Sequence, residues 1–421
     1  MTMKTLADSE ITYTLLALGF LMLGAYLCGR LFEKIKAPKV VGEIIGGMLF
    51  GGTFIGAVAP KFTQMIFNQY AEEGKVLNVF YQLGLIFLMF SSGYNTKFNF
   101  KKNNVKVYIA LFFGATVIPM VLGIPFINIF KKYFIGEEGQ NITFAMVFLI
   151  GIAITSIPVI SKIFFDMNII ESKFASTVLT ASTLQDLCLW ILLNMAINIT
   201  ISDEMNIIDM LGTVMITIGM FLGIKYIGHL LKKIKVVFKN DTSFLQICFI
   251  VMLFFIALLS LLKINIMYSS FLVGYLLRCI TTKDNNVNER VKCISDFAFS
   301  FFVPVYFALV GIQLNLLNHF SLVRFVLFFV IAFLLEGLGT VLTLKLFTKM
   351  DNRVIMNFGI AMNARGGPGI VLATVAYNYK IINIEYFTVL VLTTMFSSLI
   401  AGYWLRRQQI KNEGIFDIEM M

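Results

Sequence analysis

Charged residues are scarce in this sequence: they make up 14% of its 421 residues, whereas hydrophobic residues make up 58%. An ordinary soluble domain carries about 25% charged residues, so this composition excludes a soluble globular protein and predicts an integral membrane protein. The net charge of +10 does not indicate nucleic-acid binding, because the basic residues form short clusters between hydrophobic runs, as they do at the cytoplasmic ends of membrane helices. We therefore predict no nucleic-acid partner.

Cysteine and histidine are also rare. The five cysteines are scattered singly without a CxxC pair, and the two histidines, His229 and His319, fall at the ends of hydrophobic runs. This pattern excludes a disulfide framework and a zinc site. It also argues against an intramembrane enzyme, because the sequence has neither a metal-ligand cluster nor a serine and base at helical spacing. We predict no enzymatic activity and no cofactor.

The sequence is dominated instead by hydrophobic runs, each long enough to cross a bilayer. They predict an all-α polytopic membrane protein with about 13 transmembrane helices. The N-terminus lacks the basic start and small-residue cleavage site of a signal peptide, so the first run is predicted to be a retained helix. The runs are 11–33, 40–59, 76–94, 105–130, 142–165, 174–199, 207–230, 244–262, 264–282, 294–317, 321–347, 354–379 and 384–405.

The basic residues between these runs predict the orientation of the chain. Loops after odd-numbered runs, together with the C-terminal tail, carry 24 Lys and Arg residues, and the opposite side carries eight. The positive-inside rule then places the N-terminus outside and the C-terminus in the cytoplasm. We expect a multi-pass protein in contact with the lipid of a bacterial plasma membrane.

Two runs contain helix breakers near their centres. The fifth run has residues 153–159 (AITSIPV), in which Pro158 lacks a backbone donor and frees a carbonyl one turn back, and the twelfth has residues 363–369 (NARGGPG). Prolines and glycines are common in membrane helices, where neighbours satisfy the freed backbone groups. Two interruptions of this kind, with an acid on the helix after the first, nevertheless favour a transport site.

The spacing of the two interrupted runs predicts an internal repeat. They lie seven runs apart in the chain, and because seven is odd they enter the membrane from opposite sides. Inverted repeats covering residues 11–199 and 244–405, joined by a helix over 207–230, would have this property. Broken helices in such repeats supply free carbonyls and half-helix ends that bind small ions.

Asp186 is the residue with the strongest functional signal, in the stretch 182–190 (STLQDLCLW) of the run 174–199. About 12 residues, or roughly 18 Å of helix, separate it from either end of the run, so it lies near mid-membrane. A charge there costs roughly 2.5–3.5 kcal/mol, and intramembrane acids usually face a partner or a water-filled pathway. Together with the hydroxyls of Thr155 and Ser156 it forms an all-oxygen set, which suits a monovalent metal cation or a proton. Proton and cation would compete for one carboxylate.

Three other ionisable residues fall within the hydrophobic runs. Glu336 lies midway along the run 321–347, and two roles are open for it: a second proton or cation site, or a structural acid capped by a hydroxyl or by Arg365. Arg365, at the second interruption, is predicted to satisfy free carbonyls and half-helix C-termini rather than to contact substrate. Glu43, close to a cytoplasmic basic loop, is predicted to be a packing or gate residue.

Five segments together resemble the monovalent cation/proton antiporters, in particular the second large branch, which includes bacterial sodium/proton exchangers and potassium-efflux systems. Each segment alone is a modest signal, but the five occur in the family order and extend over nearly the whole chain. They are residues 37–47 (APKVVGEIIGG), 155–163 (TSIPVISKI), 185–186 (QD), 302–311 (FVPVYFALVG) and 363–366 (NARG).

The resemblance implies a fold and a site. The fold would have a core domain with two crossed broken helices and a dimerisation domain that forms a homodimer. An elevator-like movement of the core would exchange sodium or potassium for protons. Asp186 looks like the ion-binding acid and metal ligand of the family, with Thr155 and Ser156 beside it. The residues implied to support or couple are Gln185, Glu336, Arg365, Pro158 and Asn363.

The sequence departs from the family pattern at two positions. Many sodium/proton members have paired aspartates where this chain has Gln185 and Asp186, and a Lys or Arg near Glu336. The Gln-Asp pair is more similar to the potassium-efflux type. With Asp186 as the sole obligatory carrier we predict one-for-one, electroneutral exchange, whereas Glu336 as a second site would restore a two-charge stoichiometry.

Two other functions fit the sequence less well than antiport. A cation channel needs a continuous pore with a filter, and no repeated carbonyl-filter motif is present in the sequence. An organic-anion carrier on a related broken-helix fold would place Arg365 at the substrate, but Asp186 would repel an anion. The tail after Arg407 has about 14 residues, so we expect no C-terminal regulatory domain.

Overall fold

The computed structural model of the protein describes most of the chain. Over the described residues the protein is almost entirely helical, and nine helical segments there are long and apolar enough to cross a membrane. Two shorter apolar helices, Leu245–Leu261 and Ile266–Ile280, accompany them. The predicted all-α polytopic membrane fold is confirmed. The described residues are 5–35, 37–95, 105–202, 241–262, 264–281 and 285–416, with Met215, Gly219, Gly223 and Tyr226.

Each predicted run within the described residues coincides with helix, although several boundaries differ. The fourth run continues to Phe134 and contains a π turn, Phe113–Val117, which was not predicted. In chain order the α-helices are Asp8–Lys34, Lys39–Phe50, Ile55–Val58, Pro60–Phe67, Ala71–Asn95, Val105–Phe112, Ile118–Gly123, Ile127–Phe134, Asn141–Ile152, Ile157–Asp166, Lys173–Ser202, Asp241–Leu261, Ile266–Thr281, Asn285–Ser300, Phe302–Gln313, Leu322–Phe347, Asn352–Met362, Gly367–Asn378 and Ile384–Lys411.

The predicted run 207–230 lies outside the described residues apart from four isolated positions, so the count of thirteen helices stays a prediction. The segment Pro60–Phe67 forms a helix, although it lies between two predicted runs, 40–59 and 76–94, where no helix is predicted. This helix begins with proline at its first position, where the missing N–H has no intrahelical partner to bond.

Contacts between residues divide the chain into two units. The first unit contains Met1–Asn95 and Phe221–His319, and the second contains Thr96–Met220 and Phe320–Met421. Each unit therefore draws its helices from both of the predicted repeats, 11–199 and 244–405. The assignment of those repeats stays a prediction.

Close helix packing in the first unit depends on small residues. Asp8–Lys34 packs along Lys39–Phe50 where Gly24 meets Gly46, and a Cβ at Gly24 would come within 2.6 Å of the Gly46 carbonyl oxygen. Only glycine allows the two backbones to approach so closely, which is a common arrangement in membrane helices.

The second unit has an apolar core of mainly aliphatic side chains that also contains buried phenylalanines. Phe174 is fully buried, and its ring lies 4.4 Å from that of Phe358 and 4.9 Å from that of Phe416. Phe416 belongs to the short 3-10 turn Glu413–Phe416, so the residues after the last long helix pack into this core. The last helix thereby gains a fixed end within the unit.

Both predicted helix interruptions are confirmed, and both lie in the second unit. Residues 153–156, called the first break, and residues 363–366, called the second break, are not helical. In each case the helix resumes with proline as its second residue, Pro158 and Pro368. Proline is tolerated there because the first turn of a helix leaves its N–H groups unbonded. The sequence thus fixes where each helix restarts.

Candidate functional site

The two breaks contact each other. The Ser156 N–H donates to the Ala364 carbonyl oxygen at 2.8 Å, which is a backbone hydrogen bond between one break and the other. Arg365 Nη2 donates to the Ile152 carbonyl oxygen at 2.7 Å, at the end of the helix before the first break. Backbone groups that the breaks remove from their helices are therefore satisfied across the junction.

Gly366 allows this close contact. A Cβ at this position would lie 2.5 Å from Ser156 Oγ and 2.9 Å from Ser156 Cβ, and it would also clash with Val159 Cγ2. These neighbours belong to the first break and the start of the following helix, and all of them are buried. A larger residue at 366 would push the two breaks apart.

Asp186 lies on the helix Lys173–Ser202 and is 1% exposed. Neither of its carboxylate oxygens has a hydrogen-bonding protein group among the residues that the structure describes. Asp186 lines a cavity of about 10 Å³ whose exposed lining is apolar, close to the smallest volume that admits one water molecule. The other residues that line this cavity are Ile150, Ile154, Leu189, Trp190, Leu193 and Leu372.

The hydroxyls predicted to join Asp186 are engaged elsewhere. The Thr155 hydroxyl lies within hydrogen-bonding distance of the Met362 carbonyl oxygen and 3.2 Å from Glu336 Oε1. Ser156 Oγ accepts from the Val159 N–H at 3.4 Å and caps the helix that follows the break. Both residues are at the break, as expected, but their grouping with Asp186 as ion ligands stays a prediction.

Glu336 and Arg365 form a fully buried ion pair. Arg365 Nη2 donates to Glu336 Oε2 at 2.9 Å, and the two side chains are 1% and 0% exposed. The other carboxylate oxygen of Glu336 faces the Thr155 hydroxyl and, at 3.4 Å, Gln185 Nε2. Of the two roles left open for Glu336, this environment favours the structural one, because the charge of the carboxylate is balanced by the Arg365 guanidinium.

Gln185 connects the Asp186 helix to its neighbours. Its Nε2 donates to the Ala153 carbonyl oxygen at 2.7 Å, in the first break, and to the Ala115 carbonyl oxygen at 3.1 Å, in the π turn. Adjacent residues on a helix do not share a face. Gln185 therefore bonds to the backbone of other helices while Asp186 lines the cavity.

Two of the remaining predicted residues also lie in the second unit. Asn363 Nδ2 donates to the Gly359 carbonyl oxygen at 3.0 Å. This hydrogen bond satisfies a carbonyl group in the last turn of the helix Asn352–Met362, which ends at the second break. Pro158 begins the helix after the first break. Glu43 belongs to the first unit, where it is 4% exposed and lies 3.3 Å from Lys39 Nζ one turn earlier. Its predicted role as a packing or gate residue stays a prediction.

Sequence reasoning missed three contributors to this region. Trp190 lines the cavity and lies four residues after Asp186, so the helical repeat could have identified it. Ala115 contributes only its carbonyl oxygen, and Ser398 donates its hydroxyl to the Arg365 carbonyl oxygen. Neither of the last two has a sequence signal, because every residue carries a backbone acceptor and serine hydroxyls occur at many contacts between membrane helices.

Interrupted helices that meet beside a buried acid define the class of secondary transporters with broken membrane helices. Residues 19–408 match the family described as sodium/hydrogen exchanger, transmembrane, and the chain belongs to that family. The match extends over most of both units, including both breaks and Asp186.

Curated relatives agree with this assignment. The Na+/H+ antiporter NhaS4 of Synechocystis is 26% identical over 406 residues, covering 94% of this chain and 97% of the relative. The Na+/H+-K+ antiporter GerN of Bacillus cereus is 23% identical, covering 92% of this chain and 94% of the relative. The K+/H+ antiporter 1 of Saccharomyces cerevisiae is 26% identical over 94% of this chain, which corresponds to 46% of the yeast protein.

The fold also matches a solved structure. The sodium proton antiporter MjNhaP1 from Methanocaldococcus jannaschii superposes with a TM-score of 0.66 over 98% of this chain and 99% of that chain. The identity of 15% means that this likeness concerns the fold alone.

Proposed function

We propose that the protein exchanges one monovalent metal cation for one proton across the plasma membrane, and that both bind in turn to Asp186. The observation that carries this proposal is the buried carboxylate of Asp186, whose two oxygens have no hydrogen-bonding protein partner among the described residues, in a side chain that lines a small cavity. A charged group in that position is costly in a membrane protein unless something binds to it. A proton or a metal cation would neutralise the carboxylate equally well.

Exchange follows from the cost of moving the unbound carboxylate. If the site crosses the membrane only when Asp186 is neutralised, each crossing carries either a proton or a cation. The unloaded site would carry an exposed negative charge through the apolar region, at a cost of roughly 2.5–3.5 kcal/mol or more. Leak of one ion without return of the other is therefore suppressed, and the two fluxes are coupled.

Electroneutrality follows from the charges nearby. Asp186 is neutral with either ion bound, and the Glu336–Arg365 pair contributes no net charge because its partners lie 2.9 Å apart in the same unit. A movement that carries one cation in one direction and one proton in the other transfers no net charge. This supports the one-for-one stoichiometry and leaves Glu336 without a role as a second carrier.

We propose that the second unit moves as a rigid body in an elevator-like step. Support comes from the hydrogen bonds inside that unit. The Ser156 N–H connects the two breaks, Arg365 connects the second break to the Glu336 helix, and Gln185 connects the Asp186 helix to the π turn. A site held by so many mutual contacts retains its geometry while it moves. We further propose that the protein is a homodimer with its N-terminus outside and its C-terminus in the cytoplasm.

An organic-anion carrier is less well supported than a cation exchanger. Such a carrier needs a cationic group at the substrate, and the charge of Arg365 is balanced by Glu336. The cavity beside Asp186 holds a carboxylate and otherwise apolar side chains. Relatives whose names specify sodium, potassium or both support a monovalent cation as substrate.

The test is Asp186→Asn in everted vesicles, in which proton release from the vesicle lumen is followed with a pH-sensitive dye after addition of sodium, potassium or lithium salts. Asparagine has nearly the same size but neither ionises nor accepts a proton near neutral pH. We expect exchange to fall to the background of vesicles without the protein for each of the three cations.

Asp166→Asn is the matched control, because Asp166 is a partly exposed acid in the same unit that pairs with Lys162 and Arg406. We expect it to retain exchange. Cation-dependent proton movement that persists in Asp186→Asn at the level of the control would overturn the proposed function.

A further inference from the structure

The last long helix, Ile384–Lys411, supplies a hydroxyl group to the second break. Ser398 Oγ donates to the Arg365 carbonyl oxygen, and Ser398 is 2% exposed. Arg365 precedes Gly366, the N-cap of the following helix, so its carbonyl oxygen accepts no hydrogen bond within that helix. A side chain from another helix therefore satisfies this acceptor, as a buried backbone oxygen requires.

The neighbouring serine makes no such contact with the break. Both hydroxyls lie within hydrogen-bonding distance of the Thr394 carbonyl oxygen, at 3.2 Å from Ser397 Oγ and 2.8 Å from Ser398 Oγ. Serine hydroxyls in helices commonly bond to a carbonyl one turn earlier. Ser397 is fully buried as well, but its hydrogen bond lies within its own helix. Ser398 has a second acceptor, which belongs to the second break.

Close packing keeps the last helix beside the second break. A Cβ at Gly369, at the start of the helix after this break, would lie 2.6 Å from Thr394 Oγ1. Thr394 lies one turn before Ser398 on the last helix. The two helices therefore approach closely near the place where the Ser398 hydroxyl meets the Arg365 carbonyl oxygen, and a small residue at 369 allows this approach.

The first break has a similar contact. Gln185 Nε2 donates to the Ala153 carbonyl oxygen at 2.7 Å, and Gln185 lies on the helix that follows the first interrupted run. The donor and the acceptor are 32 residues apart in the chain at the first break and 33 residues apart at the second. In both cases the helix after the interrupted one bonds to a carbonyl oxygen of the break. Such a correspondence is what the predicted inverted repeats require.

We propose that Ser398 is a positioning residue, which holds the second break in the arrangement that binds the cation. The inference rests on the proposed function, because it assumes that the protein exchanges a cation. Ser398 acts through Arg365, whose side chain bonds to the Ile152 carbonyl oxygen and to Glu336. Without the hydroxyl, the Arg365 carbonyl oxygen loses its donor and the break samples other arrangements. A site that is assembled for only a fraction of the time binds its ion with an affinity reduced by that fraction.

The first experiment compares Ser398→Ala with wild type in proteoliposomes of the purified protein, with sodium and potassium chloride as substrates. We expect the apparent KM of each cation that the wild type exchanges to rise about two- to tenfold, the effect of one lost hydrogen bond, while the maximum rate changes less. Ser398 does not line the cavity beside Asp186, so the KM values should rise by the same factor. Ser398→Thr keeps a hydroxyl and should retain KM values close to those of wild type.

Ser397→Ala is the matched control, because it removes a buried hydroxyl from the adjacent residue and leaves the contact with the second break in place. We expect its KM values to equal those of wild type. Equal KM values in Ser398→Ala, Ser397→Ala and wild type overturn the proposal for Ser398.

A second measurement does not depend on transport. Hydrogen–deuterium exchange of backbone amides reports local opening of a structure, and it can be followed by mass spectrometry of the purified protein in detergent. We expect peptides that contain residues 363–370 to take up deuterium faster in Ser398→Ala than in wild type and Ser397→Ala. Equal uptake in all three proteins overturns the proposal. If Asp186→Asn retained cation exchange while Ser398→Ala showed the faster uptake, the proposed function would fail and the positioning role would stand.

Discussion

Asp186 and Glu336 are two buried acids of one unit whose surroundings differ. Glu336 has Arg365 Nη2 at 2.9 Å and polar atoms of Thr155 and Gln185 nearby, whereas neither oxygen of Asp186 has a hydrogen-bonding protein partner in the residues described. A carboxylate with an internal cation needs no ion from solution. One without partners is stable only when a proton or a cation neutralises it.

The first residue-scale prediction concerns the buried ion pair. Glu336→Gln leaves the Arg365 guanidinium buried without its counter-charge, and the loss of one partner of such a pair typically costs about 3–5 kcal/mol. We expect a clear drop in the thermal unfolding temperature of the purified protein in detergent. We also expect unchanged one-for-one coupling and unchanged pH dependence in the protein that remains folded.

The control for this variant is Glu385→Gln. Glu385 also pairs with an arginine, Arg324, but the two side chains are 17% and 37% exposed. Partly exposed pairs contribute about 0–1 kcal/mol, so the control should shift the unfolding temperature much less. An altered cation-to-proton ratio in Glu336→Gln would show that Glu336 takes part in transport after all.

Sequence reasoning identified the individual residues better than their partners. An acid near the centre of a membrane helix is unusual enough that Asp186 could be predicted to be buried and functional. Arg365 was predicted to satisfy free carbonyls and was named as one possible cap for Glu336, and it does both. The alternatives for Glu336 could not be resolved from sequence, because the choice depends on which side chains helix packing brings within hydrogen-bonding distance.

At the scale of elements, the two breaks hold the site together. Each break removes backbone groups from a helix, and each then uses some of these groups to bond to the other break. The positions of the breaks could be predicted because proline and glycine act locally on the backbone. Their mutual contact, and the π turn at Phe113–Val117, could not, since both depend on packing between distant parts of the chain.

The second prediction tests the contact between the breaks. Gly366→Ala adds a Cβ 2.5 Å from Ser156 Oγ, and overpacking of this kind typically costs about 1–3 kcal/mol. Because the added methyl group separates the two breaks, we expect a lower unfolding temperature and a slower exchange rate in proteoliposomes.

Gly402→Ala is the matched control in the same unit, since a Cβ there would be 3.6 Å from Ile163 Cδ1, an ordinary contact. We expect this control to resemble wild type. Equal exchange rates and equal unfolding temperatures in Gly366→Ala and Gly402→Ala would argue that the contact between the breaks is unimportant.

At the scale of the whole molecule, the helical fold could be read from the hydrophobic runs, and the division into units could not. Residues 1–95 and 221–319 belong to one unit although residues 96–220 separate them in the chain. Hydrophobicity shows that a segment enters the membrane but not which helices it contacts. The expectation of two domains, a core domain and a dimerisation domain, came from the resemblance to known antiporters and not from the composition.

The third prediction concerns the charge moved by the protein as a whole. If a proton and a cation exchange one for one, an imposed membrane potential should leave the equilibrium ratio of cation concentrations unchanged in proteoliposomes at fixed pH on both sides. Transfer of one net charge would instead shift this equilibrium by about 2.3 kcal/mol per 100 mV, or about fiftyfold. A shift of that size would contradict electroneutral exchange.

The exposed ion pair of Glu137 and Lys380 does not complicate a pH-dependent measurement near neutrality. Glu137 and Lys380 lie in two different links between helices, and the hydrogen bond and charge of Lys380 lower the pKa of Glu137, while Glu137 in turn raises the pKa of Lys380. The stabilisation that Glu137 gains from the pair is fully present above its unfolded pKa. It is lost as the pH falls through the lowered folded pKa of Glu137. The stabilisation that Lys380 gains from the pair is lost as the pH rises through the raised folded pKa of Lys380. Both groups therefore stay ionised near pH 7.

The central claim is that proton and cation compete for the one carboxylate of Asp186, and its most direct test is the apparent KM for potassium and for sodium as a function of pH. Competition at a single site by mass action predicts that KM rises as pH falls, approaching about tenfold per pH unit on the acid side. The maximum rate at saturating cation, with equal pH on both sides, should change far less. A KM that is independent of pH while the maximum rate falls would contradict the account.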